Sequence, residues 1–127
     1  MMCSSATAFH ALRKGRLQAG ETVAVFGVGG LGMSAIQLAR AWGALRVFAV
    51  DLDKGRLALA EQLGAQPVDA GRFDPAVAIR QATGGRGVDV ALDFVSIAAT
   101  MRPAIASLAA FGRVVACLLY TSDAADE

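Results

Sequence analysis

The chain has 127 residues, 55 % of them hydrophobic, and a formal net charge of +1. That length and apolar content suit one domain with a sizeable core, and without a basic stripe interleaved with aromatics no nucleic-acid partner is expected. The apolar runs are too short to cross a bilayer, Met1-Met2-Cys3-Ser4-Ser5 lacks the regions of a signal peptide, and two cysteines make no disulfide framework, so a cytoplasmic protein with no membrane partner is expected.

The spacing predicts a helix from about Ser4 to Arg16, capped by Ser4 or Ser5, with Ala8, Ala11 and Leu12 inward. Leu17 to Glu21 turns into a first strand, Thr22-Val23-Ala24-Val25-Phe26. Gly27-Val28-Gly29-Gly30-Leu31-Gly32 follows and opens a second helix, whose face is Leu31, Ala35, Leu38, Ala39 and Trp42 and whose stop is Gly43. A second strand, Leu45 to Val50, ends on Asp51. Leu57, Ala60 and Leu63 mark a third helix ending at Gly64, and Gln66 to Asp69 is a short third strand. Asp74 caps a helix with Pro75 at its first position and Val77 and Ile79 as its apolar residues. After the loop Thr83 to Gly87 comes a fourth strand, Val88 to Asp93, then a helix face of Ile97, Met101, Ile105 and Leu108. Phe111-Gly112 turns into a fifth strand.

Strands alternating with helices predict an α/β fold, a doubly wound parallel sheet of the Rossmann type. Five strands are visible where a full dinucleotide-binding sheet has about six, so the sheet is expected to be truncated after the fifth. The glycine spacing has a chemical reason. Gly27 lets the chain leave the strand in a tight turn, Gly29 lets a pyrophosphate approach the backbone, and Gly32 lets the helix pack closely on the strand. Gly30 and Leu31 lie at the helix N-terminus, whose free N–H groups and partial positive charge suit phosphates. Asp51, at the end of the second strand, can accept both hydroxyls of the adenosine ribose and would repel a 2′-phosphate, which favours NAD over NADP.

These segments resemble the medium-chain dehydrogenase family, zinc-dependent alcohol dehydrogenase branch. The resemblance is carried by Thr7-Ala8-Phe9-His10-Ala11-Leu12, Gly20-Glu21-Thr22-Val23, the Gly27 to Gly32 loop, Asp51, Glu61-Gln62-Leu63-Gly64-Ala65, Gly87 to Asp93 and Gly112-Arg113-Val114-Val115. It implies an NAD-dependent, zinc-assisted dehydrogenase acting on a small alcohol or aldehyde as part of a homo-oligomer. It further implies Cys3 as one ligand of a catalytic zinc whose other protein ligands lie in a preceding domain. There the metal would act as a Lewis acid while a hydride moves to the nicotinamide. Thr7 matches a position lining the nicotinamide pocket near the metal. Arg56 matches a basic residue reaching the adenosine ribose, and Phe94-Val95-Ser96 a segment touching adenine and ribose. Outside that match, Thr7 reads equally as a helix hydroxyl bonded to a carbonyl, Arg56 as a solvated helix arginine, Phe94 as core, and Cys3 as a free thiol. His10 reads as a surface or packing residue, and Asp89 and Asp93 as acids bonding neighbouring loops.

Residues 1–116 are therefore expected to be an NAD-binding domain incomplete at both ends. The stretch 117–127 looks like a translated sequencing-library adapter and is expected to be non-native. The fragment by itself is expected to bind without turnover. Other readings stay open. One is a zinc-free quinone or enoyl reductase of the same family, which often uses NADPH and a small or basic residue where Asp51 stands. Another is a methyltransferase binding S-adenosylmethionine, and a third is a non-catalytic nucleotide sensor.

Overall fold

The computed structural model describes residues 2–117, with side chains from Thr7 onward. Cys3 thus falls outside the described side chains, and the tail from Leu118 falls outside the described residues altogether. Five helices and five strands alternate: α1 (Met2–Lys14), β1 (Thr22–Phe26), α2 (Gly30–Trp42), β2 (Arg46–Asp51), α3 (Lys54–Gln62), β3 (Gln66–Asp69), α4 (Pro75–Ala82), β4 (Val88–Asp93), α5 (Ala98–Ala106) and β5 (Leu108–Ala116). The strands pair in parallel in the order β3-β2-β1-β4-β5. The expected doubly wound α/β sheet is therefore what forms.

Every residue of β1 and β4 is buried, as central strands covered on both faces require. Alternation sorts their side chains. Val23 and Val25 join α1, α2 and α3 residues such as Leu12, Ile36 and Leu57 in one core. Ala24 and Phe26 join Phe48, Val50, Ile79 and Ala104 in the other, beneath α4 and α5. Phe26 and Phe48 are 1 % and 0 % exposed, each contributing on the order of 1.5–3 kcal/mol by burial.

Several local expectations need correction. α1 starts at Met2, so Ser4 and Ser5 lie inside it rather than capping it. In α2, Ile36 is fully buried while Leu31, Leu38 and Trp42 are only partly so; the inward face is rotated toward Gly32, Ala35, Ile36 and Ala39. Val77 is half exposed, because α4 turns Ala76 and Ile79 inward instead. Ile97 and Ile105 are likewise half exposed, and α5 buries only Ala104. Leu108 belongs to β5, not to that helix. Phe111-Gly112 does not precede the fifth strand but lies within it. Val88 pairs with Leu108 and Val90 with Arg113, so the intervening β5 residues bulge from the ladder, with Phe111 at φ +64° and facing solvent. Asp74 does cap α4, accepting from the Ala76 N–H at 2.9 Å.

At the N-terminal end of the sheet, Arg113 ties β5 to the start of the chain. Its guanidinium donates to the carbonyls of Gly15 and Arg16 and to both carboxylate oxygens of Glu21. Nearby, Asp89 accepts from the Thr22 N–H at 2.9 Å and from Arg86. The Arg113 hydrogen bond holds the Glu21 carboxyl below its ordinary value, against some desolvation. Burial pushes the Asp89 carboxyl up, but Arg86 and the Thr22 N–H outweigh it and the net shift is also downward. Both groups therefore contribute stability above their unfolded values and lose it as pH falls through the folded ones. The melting temperature is expected to drop from about pH 4.5, the ordinary glutamate value, downward. Thermal melts across that range check this, and a Glu21→Gln, Asp89→Asn double variant should show a flatter acid limb. An equal slope in both proteins refutes it.

Candidate functional site

The C-terminal ends of β2, β1 and β4 open onto two adjoining hollows. The first, about 230 Å³, is lined by Gly27, Gly29, Gly30, Leu31, Gly32, Arg56, Phe94 and Val95. The second, about 340 Å³, is lined by residues including Gly27, Asp51, Leu52, Arg56, Ala70, Val95, Ile97 and Thr100. A wider hollow of about 500 Å³ lies along the β3 edge beside Phe73 and Ala78, but it contains none of the loop glycines.

The glycines behave as their spacing demands. Gly27 stands at φ +89°, and a Cβ there would come within 2.7 Å of Val95 Cγ2. A Cβ on Gly32 would overlap the Gly27 carbonyl oxygen, so only hydrogen lets α2 close on the strand. At Gly29 the nearest atom to an added Cβ is Arg56 Cζ at 3.9 Å, and at Gly30 nothing lies within 4 Å. The backbone in front of the α2 N-terminus is therefore bare. Gly29 is the N-cap, and no side-chain hydrogen bond caps the helix. Its first N–H groups lack intrahelical partners and point their partial positive charge at this opening.

Asp51 stands across from them with its side chain 12 % exposed. Its Oδ2 accepts from the Val28 N–H at 2.9 Å, and its Oδ1 from the N–H groups of Leu52 and Asp53 at 2.7 and 3.0 Å. The carboxylate thus locks the glycine loop to the end of β2. One lone-pair direction of its roughly four remains for a ligand. Arg56, on the first turn of α3, reaches back with Nη1 3.9 Å from Asp51 Oδ2. It lines both hollows and is the cation between them. Asp53 sets it there by capping α3, accepting from the Gly55 and Arg56 N–H groups.

The structure thus brings Gly27, Gly29, Gly30, Leu31, Gly32, Asp51, Arg56 and Phe94 together. Phe94 is both core and wall: it is 6 % exposed, packs in the core under α1 and α2, and edges the first hollow. Thr7 sits partly buried on α1 and lines neither hollow. His10 is exposed. Thr100 was not singled out by the sequence, since an isolated threonine after a strand carries no signal. Val95 belongs to the Phe94-Val95-Ser96 segment that the family resemblance sets against adenine and ribose, whereas the sequence marks Ile97 only as part of a helix face.

Among the described residues, no three His, Cys, Asp or Glu side chains come together. These residues therefore do not build a metal site. No helix among them is long and apolar enough to cross a membrane.

A family model described as zinc-binding dehydrogenase matches residues 30–124. The chain is 40 % identical over 121 residues to (R,R)-butanediol dehydrogenase of Bacillus subtilis (strain 168), covering 94 % of this chain and 35 % of that protein. It is 34 % identical over 125 residues to an NAD-dependent alcohol dehydrogenase of Sulfurisphaera tokodaii, covering 97 % and 36 %. Among solved structures, alcohol dehydrogenase TADH from Thermus sp. ATN1 superimposes with a TM-score of 0.86 at 38 % identity, covering 88 % of this chain and 33 % of that one. The chain spans about a third of the length of the curated relatives it matches.

Proposed function

Because the chain belongs to the zinc-binding dehydrogenase family, we propose that it is the dinucleotide-binding part of an NAD-dependent, zinc-assisted alcohol or polyol dehydrogenase. The observation that carries this is the bare Gly29-Gly30 backbone at the α2 N-terminus, facing the Asp51 carboxylate across two joined hollows. The methyltransferase alternative does not survive the family match.

The shape fits the cofactor in parts. The smaller hollow takes the diphosphate, whose oxygens accept from the α2 N-terminal N–H groups. The larger takes adenine and its ribose between the apolar walls of Leu52 and Ile97. Asp51 accepts from a ribose hydroxyl in its one remaining lone-pair direction and repels a 2′-phosphate. Arg56 moves off Asp51 toward ribose or phosphate oxygen. When bound, the nicotinamide end of NAD supplies the hydride acceptor for alcohol oxidation. Thr7 is assigned to the wall of the nicotinamide pocket. Cys3 is assigned as one zinc ligand in the whole protein, its partners coming from outside this chain. The relatives named for butanediol and alcohol oxidation support a small alcohol or aldehyde as substrate. Cytoplasmic location, a homo-oligomeric parent, and division into residues 1–116 and a non-native 117–127 remain parts of this proposal.

Titrating the chain with NADH and NADPH, followed by nucleotide fluorescence, tests it. NADH is expected to bind at least about tenfold more tightly, the equivalent of 1.4 kcal/mol. Equal or tighter NADPH binding would favour the zinc-free reductase reading, and no binding of either would defeat the nucleotide assignment.

A further inference from the structure

Asp93 is fully buried, at 0 % exposure, at the C-terminal end of β4 beside Phe26 of β1. Among the described residues no ion pair includes it. A carboxylate buried without a cation is costly unless hydrogen bonds satisfy it. Here all of its side-chain bonds run forward along the chain. Oδ1 accepts from the N–H groups of Val95 and Ser96, both at 2.9 Å. Oδ2 accepts from the Thr100 hydroxyl at 2.9 Å. Ser96, held by the first of these oxygens, stands at φ +60°, a left-handed conformation that a non-glycine residue adopts at a cost. The Ser96 hydroxyl also donates to the Asp93 carbonyl at 3.2 Å.

The turn fixed in this way presses on the glycine loop, since Val95 Cγ2 occupies the space in which a Gly27 side chain would stand. Val95, Ile97 and Thr100 then form the wall of the larger hollow opposite Asp51. Two strands flanking β1, β2 and β4, thus end in the same device. Each closes on a carboxylate that accepts from the next backbone N–H groups and folds the following loop into a wall. Asp51 has one lone-pair direction left for a ligand, whereas Asp93 is sealed off.

We propose that Asp93 is a positioning residue for the nucleotide, holding the Val95-Ser96-Ile97 turn in the shape that forms the adenine-ribose wall, and that it acts through hydrogen bonding rather than through its charge. The proposal rests on the nucleotide assignment above. An asparagine can do the same work: its carbonyl accepts from Val95 and Ser96, and its amide donates to Thr100 Oγ1, which then donates to the Ile97 carbonyl already 3.0 Å away. An alanine leaves both N–H groups without partners and lets the Thr100 hydroxyl turn wholly to the Ile97 carbonyl.

The test compares Asp93→Asn, Asp93→Ala and, as a stability control on the same strand away from the site, Asp89→Asn. Amide hydrogen exchange without nucleotide and NADH affinity are measured for each. Asp93→Ala should speed exchange at Val95 and Ser96 at least about tenfold, while the Val28 amide held by Asp51 stays protected, and should weaken NADH about tenfold or more, as loss of the hydrogen bonds that hold the turn implies. Asp93→Asn should restore both to within about threefold of the parent, a difference smaller than one ordinary hydrogen bond. Asp89→Asn should lower the melting temperature without moving the NADH affinity. Unchanged exchange at Val95 and Ser96 in Asp93→Ala overturns the proposal, as does NADH affinity that tracks melting temperature alone across the three variants. If Asp93→Ala does not fold, Asp93→Asn decides: protected amides with NADH binding lost would mean that the charge, not the turn, is what matters. A parent chain that binds no NADH while the exchange pattern holds sinks the nucleotide assignment and leaves the turn's dependence on Asp93 established.

Discussion

Gly32→Ala is expected to cost about 3 kcal/mol of stability or more, at the upper end for overpacking, and to abolish measurable NADH binding. For a chain of this size that lowers the melting temperature by roughly 10 °C. The added methyl would overlap the Gly27 carbonyl oxygen, which is backbone and cannot swing aside. Gly27 is itself anchored, its N–H donating to the Val50 carbonyl at 2.9 Å. The helix must therefore retreat, and retreat uncovers Ala35, Ile36 and Ala39, all fully buried. Gly29→Ala is the informative companion. Its methyl would meet only Arg56 Cζ at 3.9 Å, and Gly29 has an ordinary φ of −74°. The melting temperature should stay near that of the parent while NADH affinity falls, because the methyl occupies the diphosphate's approach. Calorimetry and nucleotide titration on both variants separate the two roles. If Gly32→Ala melts with the parent, the close helix–strand contact does not constrain the loop.

Asp51→Asn should weaken NADH by about 1–3 kcal/mol, roughly 5- to 150-fold. An amide keeps one oxygen for the Leu52 and Asp53 N–H groups but turns an NH2 toward the Val28 N–H, donor against donor. The glycine loop loses its tie to β2 as the ribose loses its charged acceptor. Arg56, 3.9 Å away, loses its counter-charge and becomes free to meet a 2′-phosphate. The ratio of NADPH to NADH affinity should therefore rise even as NADH binding weakens. Parallel titrations with the two nucleotides check both statements. Unchanged NADH affinity would mean that Asp51 serves only to hold the loop.

The strands were legible because burial on both faces writes them as mostly apolar runs; Thr22–Phe26 and Val88–Asp93, the latter interrupted by Asp89, lie where those runs lie. Asp74 and Pro75 announced α4 because capping and proline chemistry are local. Helix faces were less legible. Periodicity gives a stripe, but the sheet decides which edge of it turns inward, and in α5 small Ala104 does so while Ile105 and the N-cap Ile97 stay out. The Phe111 bulge was illegible as such, since a Phe-Gly pair signals a turn equally well before a strand or inside one. At the site, glycine spacing and a strand-terminal acid spoke for themselves. The further function of Asp51 in tying Val28, and the inward hold of Asp93 on its own following turn, depend on contacts that only the folded chain creates.

The strand order has a bearing on synthesis. β1 lies between β2 and β4, yet β4 begins at Val88, well after β3 has been made. A ribosome therefore releases half a sheet at whose edge β1, the central strand of the finished sheet and apolar in all but Thr22, has one bare flank until later residues arrive. Distant pairing of this kind is slow, and exposed strand flanks recruit wrong neighbours. The nascent chain passes through an interval in which its most hydrophobic ribbon waits for its mate, and that interval is where a chaperone would be of greatest use to it.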